Sequence, residues 1–184
     1  MIHEGTRGRS KGAGMMPPAP AFASIPSRGQ FHLAPVLERS CARRALSKTR
    51  YRNAEGFFLA IEEQLFADNS DLLYQTGIVS QLALTSHLLD VGFDDRWCAR
   101  HIGLHIDKAL AYANATGLNY HSAAFQRLAP VLSPYNVWRN PDLDGSRPPV
   151  PKSLPDIPAL LRGLLDHVRG VTGHPRPRRR KAHG

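Results

Sequence analysis

The sequence predicts an all-α fold: a small bundle of four to five helices with an appended C-terminal amphipathic helix and disordered basic tails. Three observations predict it. Apolar residues recur at three- and four-residue spacing between about 35 and 135 and again near 157–169. No stretch of useful length alternates with the period of two that a half-buried strand needs. The 15 Pro and 15 Gly gather toward the two ends, leaving the middle of the 184 residues free to form helices. That length holds one ordinary domain with tails, and no repeat of 20 to 50 residues suggests a solenoid.

Taken in order, residues 1–33 combine prolines, glycines and charge with little to bury, which predicts a disordered N-terminal tail. The helical domain is expected over 34–139. Pro35 suits a first helical position, and the helix it opens would place Leu37, Cys41 and Ala45 on one side and Arg39, Arg43 and Arg50 on another. Asn53 can cap a second helix with an apolar stripe of Ala54, Phe57, Phe58, Ile61 and Leu65. Ser70 and Asp71 would open a third, running to about Asp90, whose leucines spread over nearly every side; such a helix belongs at the centre.

Gly92 should end that helix and Asp94 cap a fourth, continuing past Trp97 to about Thr116, where Gly117 stops it. Its core face would hold Cys98, Ala99, Ile102, Ile106, Ala109, Leu110 and Ala113, leaving Trp97, His101, Leu104, His105, Lys108 and Tyr112 outward. A short helix from about Ser122 to Leu128 precedes Pro130, and Tyr135, Val137 and Trp138 are apolar enough to lie across the bundle as a lid. A Pro-rich tether follows over 140–153. In the amphipathic helix at 154–170, Ile157, Leu160, Leu161, Leu164, Leu165 and Val168 fall on one face. It can complete the bundle or dock on a partner. The last stretch, 171–184, reads as a basic disordered tail.

Charge is segregated along the chain. Residues 1–53 hold ten Lys/Arg against two acids, 54–132 hold four against nine, and 133–184 hold ten against four, so the net +9 belongs to the ends. Two cysteines, Cys41 and Cys98, do not make a disulfide framework and fit a reduced, cytoplasmic setting. No apolar run is long enough to span a bilayer or to act as a secretory signal. The Arg-containing leader has the composition of a transit peptide but too much Gly and Pro for an amphipathic helix, and Met15 or Met16 could serve as the start.

Chemistry-bearing patterns are sparse. GxGxxG, GxxxxGK[ST] and HExxH are absent, so no cofactor and no catalytic set is expected. Cys98, His101 and His105, with His87 on a neighbouring helix, have the spacing of a metal site, although Cys98 lies nearer the core face than His101. The helices flanking Gly92 could imitate a helix-turn-helix, but the second begins with Asp94 and Asp95, which repel phosphate.

The first expectation is therefore a small accessory or regulatory protein that binds nucleic acid or an acidic protein non-specifically through its basic ends. Arg176, Arg178, Arg179, Arg180 and Lys181 in the tail, with Arg39 and Arg43, would meet the phosphates. The second is a protein interaction module that uses Trp97, His101, His105 and Tyr112. The third is a small metalloenzyme.

Overall fold

A computed structural model describes residues 37–63, 66, 68–139 and 153–176, all within one compact unit spanning 34–184. The tail expected over 1–33, nearly all of the tether at 140–153, Leu65, and the cations Arg178, Arg179, Arg180 and Lys181 lie outside the described residues. Among the described residues the fold is all-helical, with no strand: α1 (Cys41–Glu62), α2 (Asn69–Val91), α3 (Asp95–His101), α4 (Ile106–Ala115), α5 (Ala123–Val131), a 3₁₀ turn (Tyr135–Trp138) and α6 (Ile157–Thr172). No helix is long and apolar enough to cross a membrane.

The first two predicted helices are one. Ser40 rather than Pro35 marks the start, its hydroxyl accepting from the Arg43 N–H at 3.2 Å, and α1 then runs unbroken through Asn53. Asn53 sits exposed while Tyr51, Ala54 and Phe58 on either side of it are buried, so a continuous inner stripe overrides the capping tendency of one residue. That stripe is Ser47, Tyr51, Ala54, Glu55, Phe58 and Ile61. Leu37, Cys41 and Phe57, expected inside, are exposed.

As its pattern required, α2 is central. It is buried along most of its length and contacts α1, α4, α6 and the 3₁₀ turn. Asp68 caps it, accepting from Ser70 and Asp71, and Gly92 ends it at φ 112°. This left-handed conformation suits glycine, and the Glu38 backbone lies so close that an added Cβ would sit 2.7 Å from its nitrogen.

The predicted fourth helix divides into α3 and α4. Asp94 caps α3 through the N–H groups of Arg96 and Trp97, but Gly103 takes φ 58° and the backbone turns before Ile106. Ile102 and Ile106 are both buried, as on a straight helix, but Ala99, which a straight helix had placed with them, is exposed. Tyr135 and Trp138 close the bundle as expected, at 8% and 1% exposure.

The C-terminal helix completes the bundle. Ile157, Leu161, Leu164, Leu165 and Val168 are buried against α1 and α2. Glu55 and Glu62 of α1 meet Arg162 near the start of α6, and Ser47 meets His174 just beyond its end, so α6 runs antiparallel to α1. It continues through Gly170 to Thr172, and Gly173 ends it at φ 71°.

Candidate functional site

Helix α1 has two cationic flanks with different fates. Arg43 and Arg50 lie toward α2 and α3: Arg43 donates to the carbonyls of Glu38 and Gly92, and Arg50 pairs with Asp95 at 3.0 Å. On the other flank Arg44, Lys48 and Arg52 are exposed at successive four-residue steps. Each step rotates about 40° and rises about 6 Å, so the three form a gently turning stripe roughly 12 Å long. Within it only Arg44 approaches a described acid, Asp90, at 3.9 Å, and its side chain is still 72% exposed.

A buried polar string runs between α1, α2 and the residues after α6. Ser47 Oγ lies 2.7 Å from the Ser86 carbonyl, 3.2 Å from Ser86 Oγ and 2.6 Å from His174 Nε2. A hydroxyl has one proton, and the Ser86 carbonyl can only accept. Ser47 therefore donates to that carbonyl, and its oxygen receives Nε2–H from a neutral His174.

The Ser47 and His174 pair has the contact distance of a nucleophile and its base, but Ser47 is fully buried and His174 is 4% exposed, so no substrate reaches the oxygen. The arrangement is a clasp. Burial lowers the His174 pKa; Asp90 opposes that shift, and Arg44 and Lys48 add to it.

Next along the seam, the Tyr51 hydroxyl donates to Glu55 at 2.6 Å and is pushed up in pKa, first by burial and then by that bond. Glu55, 5% exposed, also accepts from Arg162 at 3.0 and 3.1 Å, while the Arg162 guanidinium lies 4.3 Å from the Phe58 ring centroid. Asp166 gathers Arg162, Arg169 and Arg176 at 4.0, 3.4 and 2.6 Å.

The residues expected to meet nucleic acid are thus separated by the structure. Arg39 is exposed. Arg43 is committed to the end of α2, with a side chain only 24% exposed, because Gly92 leaves a carbonyl there that needs a donor. Arg176 is ion-paired to Asp166 at the surface of its own bundle. Lys48 and Arg52, which the sequence did not single out, occupy the accessible flank. Their four-residue spacing with Arg44 was the available signal.

Of the proposed interaction surface, Trp97, His101 and Tyr112 come together. The Trp97 ring stacks on His101 at 4.5 Å and meets Tyr112 edge-on at 5.3 Å, with Phe93 beneath at 5.0 Å from Trp97. Tyr112 remains 38% exposed. His105, at the N-cap of α4, joins none of the ring contacts seen in the cluster.

The metal set does not assemble. Among the described residues no three His, Cys, Asp or Glu side chains are grouped to hold one ion. Cys98 is buried, and burial, reinforced by Asp95 and Asp94, pushes its thiol up to about 12. His87 is 1% exposed, with a pKa lowered chiefly by burial. Compared with known proteins, the chain matches no family model, no curated protein and no solved structure.

Proposed function

We propose that this protein is a small accessory or regulatory factor that grips a polyanion, with nucleic acid the class best suited, through the Arg44, Lys48 and Arg52 flank of α1 together with its cationic C-terminal segment. The supporting observation is the contact of His174 with Ser47 at 2.6 Å, which roots the C-terminal segment on the same helix that carries the exposed stripe. Beyond Arg176 the sequence adds Arg178, Arg179, Arg180 and Lys181 with no acid. Cations spaced along a helix and continued by a chain neutralise successive phosphates without reading bases, so affinity is sequence-blind and falls steeply with salt.

The test is the salt dependence of binding to a labelled 20-base-pair DNA duplex. The variant Arg44→Gln, Lys48→Gln, Arg52→Gln removes up to three phosphate contacts. The slope of log K against log salt should become shallower by as much as about 3, at roughly 0.9 per contact. Truncation after Arg176 should flatten it further. An unchanged slope in both variants overturns the proposal.

A second reading rests on the aromatic cluster: Trp97 and Tyr112 present apolar surface beside Asp94, as a protein interaction surface does. A partner that binds equally well after nuclease treatment and is lost in Tyr112→Ala would favour it over the first.

A further inference from the structure

We propose that His174 is a proton-operated latch: neutral, it fastens the segment after α6 to α1 and α2, and protonated, it lets that segment go while the bundle stays folded. This holds whether or not α1 meets a polyanion.

The geometry gives a histidine this role rather than a merely structural one. Its ring is 4% exposed, and its Nε2 lies 2.6 Å from the Ser47 hydroxyl, whose single proton is committed to the Ser86 carbonyl at 2.7 Å. One face is shared with Tyr51, the ring centroids lying 5.8 Å apart. The groups facing it are thus Ser47 and Tyr51 from α1, Ser86 from α2, and the charges of Arg44, Lys48 and Asp90. Two of those three charges repel an imidazolium, and the third, Asp90, already has Arg44 at 3.9 Å. A second ring proton would therefore place a charge on a buried ring, where the loss of solvent outweighs the attraction of Asp90.

Among the described residues the segment has few other holds, which makes local release feasible. Gly173 has left the helical conformation, its N–H reaching back to Arg169, and among the described residues the His174 N–H has the Thr172 hydroxyl at 3.4 Å. Pro175 has no N–H to donate. Arg176 adds a surface ion pair to Asp166, of a kind that contributes about 1 kcal/mol or less, and lies 3.9 Å from buried Glu55, which Arg162 already holds at 3.0 Å. Lowering of the His174 pKa by burial places the transition below the ordinary histidine value of 6.5.

The experiment uses the full chain, labelled with ¹⁵N, and reads backbone mobility by heteronuclear NOE at pH 7.5 and pH 5.0. In the native protein Gly173, His174 and Arg176 should pass from rigid to mobile values, while residues of α1 and α2 hold theirs. His174→Gln cannot titrate, so its values for these residues should be the same at both pH values. Three results would overturn the latch: no change in the native protein, the same change persisting in His174→Gln, or loss of rigidity in α1 and α2 together with the segment. None of these measurements involves a polyanion, so failure here is distinct from failure of the binding reading.

Discussion

Two glycines in the middle of helices should respond to the same substitution with opposite sign. Gly56 in α1 is exposed, and a Cβ built there meets nothing within 4 Å. Ala is about 1 kcal/mol better than Gly in a helix interior, so Gly56→Ala should raise stability by about that amount. For a domain of this size, 1 kcal/mol moves Tm by roughly 2–4 °C. Gly77 in α2 gains the same propensity, but its added Cβ would overlap Tyr135, nearest its Cβ and Cγ.

That overlap is with the root of the side chain, which no rotamer change can move. Tyr135 is also tied by its hydroxyl to Gln81 and by its N–H to the Leu104 carbonyl, so relief requires the 3₁₀ turn, with buried Trp138, to shift. Overpacking of this kind costs about 3 kcal/mol at the upper end of its usual range. The net loss for Gly77→Ala is then about 2 kcal/mol, a drop in Tm of roughly 4–8 °C. Thermal melts and urea titrations of both variants decide it. A Gly77→Ala protein as stable as the native one would show that Tyr135 does not pack on α2 as described, and would undo the lid assignment.

Removing Glu55 should be costly, because Glu55→Ala leaves the buried Tyr51 hydroxyl and the Arg162 guanidinium without their shared acceptor. About 3 kcal/mol of lost stability in urea is expected, and a loss below 1 kcal/mol would mean that water replaces the carboxylate at no cost. The two buried histidines set an acid limit. The pKa values of His87 and His174 are both lowered by burial, so the unfolded chain binds protons first; stability is complete above pH 6.5 and declines as pH falls through the window below it. Calorimetry at pH 7.5, 6.0 and 5.0 should show Tm lower at 6.0 than at 7.5 and lower again at 5.0, and a Tm that rises on acidification contradicts the assignment. The thiols should separate kinetically: exposed Cys41 reacts with a disulfide reagent at pH 8, whereas Cys98, pushed up to about 12, reacts only on unfolding. Two rapidly reacting thiols in the native protein would place Cys98 at the surface.

Much of the fold could be read from short-range signals. Gly92 and Asp94 ended and opened helices where their conformational and capping preferences said they would, and the stripe from Ile157 to Val168 is the face that α6 buries. The misjudged boundaries have opposite causes: at Asn53 a local preference yields to continuity of the core, and at Gly103 a continuous apolar pattern yields to a turn. Asn53 does not cap because Tyr51 and Ala54 must both face inward, and the helix beyond Trp97 breaks where Gly103 takes a left-handed φ of 58°. The candidate sites were less legible because they depend on tertiary partners. Nothing near Arg43 in sequence announces that Gly92 will need its guanidinium, and Ser47 and His174 are 127 residues apart. The stacking of Trp97 on His101 follows from four-residue helical spacing and could be read directly, whereas Tyr112 joins them only because the chain turns at Gly103.

Segregated charge along the sequence does not mean that the ends are free, since several of the acids are already occupied by the chain's own cations. Asp95 takes Arg50 and Asp90 takes Arg44, while on the seam of α1 and α6 the carboxylates of Glu55, Glu62 and Asp166 meet the guanidiniums of Arg162, Arg169 and Arg176. Three against three leaves that seam neutral. The four cations that follow Arg176 in sequence therefore bring charge for which the seam has no surplus carboxylate, and Lys48 and Arg52 on the adjacent flank of α1 add to the excess. Positive charge that is not compensated internally must be balanced by counterions or by an external anion, and release of those counterions is what drives polyanion association. The functional reading thus rests less on the net charge of +9 than on the exhaustion of acids at the point where the C-terminal segment is anchored.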